Sequence, residues 1–451
     1  MGIQNLPASL QSVIQQNFLE RAFEESLRAE LGFRAIADPE EFTAGVGETI
    51  TKTRPGLLPA ITTPMSPAAN SDFTSGLTAQ NYGIEQYTLG VAQYPGMMQL
   101  NIATSKVAIA NLFLRNAVSL GEQAYRSVDT LAQMALFSGY LTGNTVVSTT
   151  LGAAGATISV DDVRGFQFTW NSSGQVVPVS VTNPVNVTVG ADVYSLTGVA
   201  VDGTNVSVSP GGISGTLTFS ASVTVADGTA QNAVVSAVAP WVERPMDSST
   251  NTVAASTVYG ITSSLFNGGR LSMQMLLQAK AQLKANGVRP VRATGMYHFY
   301  GSPKQTVGLF NDPDFKLLFR GQSNSAEFRR GIVAELLGIQ LIETNLNPAA
   351  TIGGNKIQYG ALCGEGALVE GVFTSNAYAE TEGVPKDDLI TVVDGIAHIT
   401  REPLDVLKQV ITQSWSYIGG FAVPSDITTN PNTIPTASNS AFKRCIILES
   451  M

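Results

Sequence analysis

Few residues in this sequence have the types and spacing to do chemistry. Its two cysteines, Cys363 and Cys445, stand far apart and outside any CxxC pair or Cys/His cluster. Zinc ligation is therefore not expected; free thiols are the expectation, with one disulfide left open. Its two histidines, His298 and His398, each sit in an apolar run that reads as a strand, so they read as structural residues rather than acid–base catalysts. The carboxylate pairs Asp161-Asp162 and Asp387-Asp388 have no companion ligands and read as solvated turns. Residues 360–371, GALCGEGALVEG, resemble a phosphate loop only in glycine content. They lack the Lys-Ser/Thr ending, and their alternation favours a strand. P-loop, GxGxxG, GxSxG and HExxH patterns are absent. Arg320, Arg329 and Arg330 make the densest basic patch, with Glu327 and Glu335 spaced to pair with it on a helix face. No catalytic residue, metal ligand or cofactor site emerges, and the chain does not read as an enzyme.

The bulk properties narrow the function classes. Charged residues make up 14% of the 451 positions and the formal net charge is -9. An acidic chain without a Lys/Arg cluster is a poor candidate for tight nucleic-acid binding. No apolar run reaches the length of a membrane span, and the first residues lack the basic-then-apolar order of a secretory signal. The triplets at Asn171, Asn186 and Asn205 match the glycosylation pattern, but such matches arise by chance in a Ser/Thr/Asn-rich region.

The dominant element is the stretch 105–140. Ala110, Leu114, Ala117, Gly121, Ala124, Val128 and Ala132 recur at three- and four-residue steps, while Asn116, Ser119, Glu122, Arg126, Asp129 and Gln133 lie on the other face. The spacing predicts a rod of roughly 50 Å, with Ser105 as N-cap and Gly139 opening the exit. Residues 8–32 predict an amphipathic helix that must dock to be stable. Between the two, residues 42–100 hold Pro55, Pro59, Pro64 and Pro67 between short strand-like runs near 48–53 and 84–92. That pattern predicts a long projecting hairpin.

After the rod, residues 144–240 contain no Lys and only Asp161, Asp162, Arg164, Asp192, Asp202 and Asp227 as charges. Short alternating runs separated by Asn-Pro, Asp-Gly and Pro-Gly-Gly turns predict an inserted β-sandwich or barrel. Beyond it, helices over 257–266 and 271–285, strand ATGMYHFYGSP, helices KQTVGLF, DPDFKLLF and EFRRGIVAELLG, and strand IQLIETNL alternate in α+β style. YGALCGEGALVEG, ITVVDGIAHIT, DVLKQVITQSWSYIGGFAV and FKRCIIL read as strands.

This order of parts resembles a tailed-phage major capsid (coat) protein of the common phage/herpesvirus capsid fold. The phrases GVRPVRATGMYHFYGSPKQTVGLFNDPDFKLLF, FRRGIVAELLGIQLIETNLNP and YGALCGEGALVEGVF are similar to the axial-domain region of the N4-type and P-twenty-two-type coat group. The resemblance implies an N-terminal arm at 1–41, an extended loop at 42–100 and a peripheral domain with its spine helix at 101–143 and 388–451. It further implies the β-insert at 144–245, a departure from the minimal pattern, and an axial α/β domain with part of the peripheral domain at 246–387. It implies a structural subunit that forms hexamers and pentamers, closes an icosahedral shell around double-stranded DNA held non-specifically, and meets scaffolding, portal and decoration proteins. The expected location is the virion, after assembly in the host cytoplasm and away from membranes. Candidate inter-subunit contacts are Phe18, Phe23, Leu57, Leu58, Ile61, Met65, Phe73, Arg329 and Arg330. Lys52 alone in the loop offers an amine for cross-linking, and no partner for it can be assigned. The competing readings are an encapsulin-like compartment shell, disfavoured by the large insert, and a surface adhesin with an immunoglobulin-like domain, disfavoured by the long helix.

Overall fold

The computed structural model describes residues 32–42, 49–55, 84–101, 109–141, 143–161, 163, 166, 168–170, 176–206, 213–230, 232–236, 242–243, 266–285, 287–320, 335–352, 355–373, 390–401, 406–407, 409–424 and 444–451. These residues build an α+β protein on three large sheets, two two-stranded ones and one long helix. The helix, α1 (Ile109–Leu141), runs for 33 residues. Its buried positions Phe113, Ala117, Leu120, Ala124, Val128, Ala132, Leu136 and Tyr140 follow the predicted period. It continues through Gly139 to Leu141, and the chain turns at Gly143, where φ is 81°. Ser105 lies outside the described residues.

The first half of α1 crosses a six-stranded sheet made of β1 (Ala37–Phe42), β4 (Ala92–Asn101), β19 (Leu368–Phe373), β20 (Ile390–Val393), β21 (Ile396–Arg401) and β22 (Val410–Ala422). Leu120, Ala124 and Val128 pack there on Ile396, Trp415 and Tyr417. β20 and β21 join through Asp394-Gly395, both at positive φ (50° and 79°), the conformation of a tight type I′ hairpin. The sequence divisions place 37–41 in the arm and 92–100 in the loop. In the structure β1 adds parallel to β19, and β4 pairs antiparallel along β22 from Ala92↔Gly419 to Asn101↔Val410. The reason is edge pairing, which satisfies backbone groups that a projecting loop would leave to water.

The projecting hairpin itself is present at its base. β2 (Thr49–Pro55) and β3 (Ile84–Gly90) pair over seven residues, from Thr49↔Gly90 to Pro55↔Ile84. Residues 56–83 lie outside the described set. At the root, Leu89 is buried against Val369 of β19. Gly420 of β22 is required there, since a Cβ would sit 2.0 Å from the Gly90 carbonyl oxygen.

The insert is a closed barrel rather than a sandwich. β5 (Asn144–Val146), β12 (Ala233–Ser236), β9 (Val185–Val189), β10 (Asp192–Val206), β11 (Ile213–Val223) and β6 (Gly155–Val160) follow in that order. The Val147↔Val160 bridge, flanked by Ser148 N–H to Ser159 O (2.9 Å), joins the first strand to the last. β7 (Phe168–Trp170) and β8 (Val176–Pro178) form a side hairpin. Alternate residues Ile158, Val160, Val187, Val189, Leu196, Leu217 and Phe219 fill the interior. The barrel stops short of 245: β13 (Val242–Glu243) pairs parallel with β23 (Cys445–Ser450) in the third sheet.

That third sheet has seven strands, in the order β13-β23-β18-β14-β16-β15, with β17 (Ala349–Ile352) paired to β18 (Asn355–Cys363). β14 (Tyr297–Gly301), β15 (Glu335–Leu336) and β16 (Ile339–Glu343) complete it. The helices α2 (Met273–Ala285), α3 (Pro303–Asn311) and α4 (Pro313–Arg320) lie along it, burying Met275, Leu276, Leu309 and Phe315 with Phe299 and Leu448. Ser302 and Gln305 form a reciprocal capping box at the start of α3.

Two sequence expectations fail in this region. The helix expected over 327–338 does not end as one: Glu335-Leu336 is a strand, and Leu337-Gly338 reverse the chain at φ 51° and 74°. The reversal lets Leu336 and Ile339 share one core. The single strand expected at YGALCGEGALVEG is two. Gly364–Gly366 turn the chain from β18 in this sheet into β19 in the first sheet, each half keeping its own alternation. The expected helix over 257–266 lies, apart from its last residue, outside the described residues.

Candidate assembly surfaces

The nine contact candidates, Phe18, Phe23, Leu57, Leu58, Ile61, Met65, Phe73, Arg329 and Arg330, all lie outside the described residues. What the structure gives is how the segments next to them are anchored.

The segment that enters the fold at Gly32 is clamped from two sides. Phe33 is fully buried, stacked on Tyr300 with centroids 4.7 Å apart and edge-on to Phe137 of α1 at 5.9 Å. The Arg34 backbone N–H donates to Asp129 Oδ1 (3.1 Å) on α1. Its guanidinium donates to both carboxylate oxygens of Glu370 and to the Asp394 carbonyl (2.8 Å), and lies 5.7 Å from the Tyr417 ring centre. Tyr417 donates its hydroxyl to Glu370 Oε1 (2.8 Å). Burial alone would lower the pKa of Arg34, but the hydrogen bond and charge of Glu370 outweigh it and hold the guanidinium above its ordinary value. Burial raises the Asp129 carboxyl, opposed by the backbone N–H bonds of Arg34 and Phe33. The period places Asn116, Asp129 and Gln133 on the solvent face; the structure buries all three. For Asp129 the reason is this clamp. A Cβ on Gly32 would lie 2.3 Å from Asp129 Oδ1, so the chain enters against the helix only as glycine.

The hairpin base is tied to the same place. Lys52 of β2 forms an ion pair with Glu40 of β1. The one amine of the loop region thus has a carboxylate partner within its own chain.

Among the described residues three surfaces are exposed. β4 is an uncharged strand paired only with β22 among the described residues, and Met97 and Met98 on it are exposed. Beside it runs a groove of about 520 Å³ lined by Tyr94, Ser119, Glu122, Gln123, Arg126 and Thr130. Gln123 is held at the groove floor by the Trp415 indole N–H (3.2 Å), and Gly96 leaves room for that indole. Between β21 and β22, Val406 is wholly exposed and Leu407 largely so. On α3 and α4, Val307 and Leu317 are exposed as well.

The titratable residues are spent on structure. His298 accepts or donates at Thr294 Oγ1 (2.8 Å), and burial lowers its pKa. His398 is buried on the helix-facing side of the sheet, which pushes its pKa down to about 4. In the barrel, burial raises the Asp227 carboxyl, but hydrogen bonds from the Tyr194 hydroxyl (2.6 Å), the Ala191 N–H (3.0 Å) and Thr224 (2.8 Å) outweigh it and bring its pKa below the ordinary value. Among the described residues no three His, Cys, Asp or Glu side chains gather as a metal site. Among the same residues no helix is long and apolar enough to cross a membrane.

No protein-family model matches the chain, and no curated protein matches it. Among solved structures it is similar to the capsid of Ralstonia phage GP4, at 11% identity and a TM-score of 0.47, with 92% of this chain and 87% of that chain covered. It is similar to the capsid structure of the cyanophage P-SCSP1u at 11% identity and TM-score 0.45, with 93% of this chain and 89% of that one covered. It is also similar to the cyanophage Pam1 capsid asymmetric unit at 10% and 0.45, over 90% and 86%. At these identities and scores the likeness establishes no family membership.

Proposed function

We propose that this chain is a structural subunit of an icosahedral viral shell, a tailed-phage major capsid protein, with no enzymatic role. One observation carries the reading. A single long helix is bonded to two sheets at once, and a β-hairpin and an entering N-terminal segment are rooted beside it at the same sheet. A rigid wall element with segments reaching away from it is the design of a subunit whose stability is completed by neighbours. The absence of a catalytic constellation among the described residues is consistent with this and adds no weight of its own.

On this reading the first sheet with α1 is the peripheral domain and includes β1 and β4. The third sheet with α2, α3 and α4 is the axial domain, and the barrel is an accessory module. The subunits form hexamers and pentamers in the virion around double-stranded DNA, assembled in the host cytoplasm. The net charge of -9 suits a lining that does not grip the packaged polyanion. Scaffolding, portal and decoration proteins are the expected partners, and the N4-type and P-twenty-two-type coats the expected relatives.

Electron microscopy of the purified full chain tests this. Shells or ring-shaped capsomers are expected at high concentration, or on co-expression with a scaffolding protein. A chain that stays monomeric under both conditions overturns the reading.

A further inference from the structure

The chain has only two cysteines, 82 positions apart, and the fold brings them to one point. Cys363 ends β18, Cys445 begins β23, and the two are cross-strand partners in the interior of the third sheet. Their sulfurs are 3.4 Å apart and both residues are fully buried. The next pair along is hydrogen-bonded, Gly364 N–H to Arg444 O at 2.8 Å. By the antiparallel alternation the cysteines therefore occupy a non-hydrogen-bonded position, where facing side chains approach most closely. Ala361, Ile447, Tyr140 and Tyr300 belong to the same core. Tyr140 closes it by donating to the Ala367 carbonyl (3.0 Å) and accepting from the Arg444 N–H (3.3 Å).

We propose that Cys363 and Cys445 are a built disulfide site, oxidised by a low-molecular-weight disulfide such as oxidised glutathione, and that the bridge staples the C-terminal strand β23 to β18. One cysteine thiolate attacks a sulfur of the glutathione disulfide and releases one glutathione thiol. The second attacks the mixed disulfide and releases the other. One S–S bond breaks, one forms, and two thiol hydrogens pass from the protein to glutathione. Burial, and then the hydrogen bond with Cys363, push the Cys445 thiol up, so the docked pair holds little thiolate and admits no oxidant. Oxidation therefore precedes docking of β23 or follows its opening, in an oxidising medium rather than in the reducing cytoplasm of assembly. Among the described residues β23 has β18 on one side and only the two-residue β13 on the other, so it is the strand a staple would secure.

The test uses the full chain, unfolded in urea with reductant, then refolded in a glutathione redox buffer. Non-reducing proteolysis and mass spectrometry should find the Cys363 peptide linked to the Cys445 peptide within one chain. The oxidised protein should melt about 5 °C or more above the reduced one. In the folded reduced protein, iodoacetamide should label both thiols at least about 100-fold more slowly than in urea. Thiols that stay fully alkylatable after refolding, bridges between chains, or folded-state labelling as fast as in urea each overturn the proposal. The Cys445→Ala variant should melt at one temperature in both buffers. Should it fail to fold, the peptide map of the unaltered chain still decides.

Discussion

His398 shows how a residue with catalytic potential is used for packing. It faces α1 beside Trp415 and Tyr417, and burial lowers its pKa from the ordinary 6.5 to about 4. The folded chain thus keeps it neutral where the unfolded chain protonates it. Stability from this group is complete above the unfolded value and is lost as pH falls from 6.5 toward 4, by up to roughly 3 kcal/mol. Unfolding free energies from urea titrations across that window should fall more steeply for the native chain than for His398→Gln, by about 1.4 kcal/mol per pH unit. Equal slopes would assign the loss to other groups. Arg34 and Glu370 make the opposite use of charge: Glu370 is buried and Arg34 half-buried, and each satisfies the other together with Tyr417 and the Asp394 carbonyl.

At the scale of elements, α1 is the part on which the others depend. Its first half covers the six-stranded sheet through Leu120, Ala124 and Val128. Its second half covers the seven-stranded sheet through Ala132, Leu136 and Phe137, with Phe33 wedged between. A break at Ala124 would disconnect the two. Ala124→Pro removes a backbone bond and clashes with the preceding turn, costing about 3 kcal/mol or more before any core is lost. We expect it to yield insoluble or molten chain, read by loss of near-ultraviolet circular dichroism. Ala124→Gly, costing only about 1 kcal/mol, should remain folded. A folded Ala124→Pro chain would show that the two sheets hold together without the helix.

For the whole molecule, the shell reading separates folding from assembly. The described cores of the three sheets lie within one chain, whereas the segment between β2 and β3 continues from a hairpin whose root is seated on β19 and β22. Deleting Pro55–Phe73 should therefore leave a monomer with an unchanged melting midpoint, yet abolish shells in electron micrographs. Normal shells from the deleted chain would remove the loop from the interface. The barrel is self-contained in the same sense, with its own closed hydrogen-bond ring and core.

Periodicity determined a good deal by itself. The 3.6-residue repeat of the spine and the period-2 runs of the β-insert are local patterns, and local sterics and burial enforce them wherever the chain goes. Only the tertiary structure decided what depends on distant partners. Closing the insert into a barrel needed Val147 to meet Val160, and ranking 37–42 and 92–101 as sheet needed β19 and β22. Burying Asp129 needed Arg34, ninety-five positions away. The cysteine pair is the same case: spacing left a disulfide open, and the register of β18 with β23 brought the sulfurs together. A strand edge or buried carboxylate looks alike in sequence whether or not it finds its partner, because the free energy resides in the pairing and not in either member.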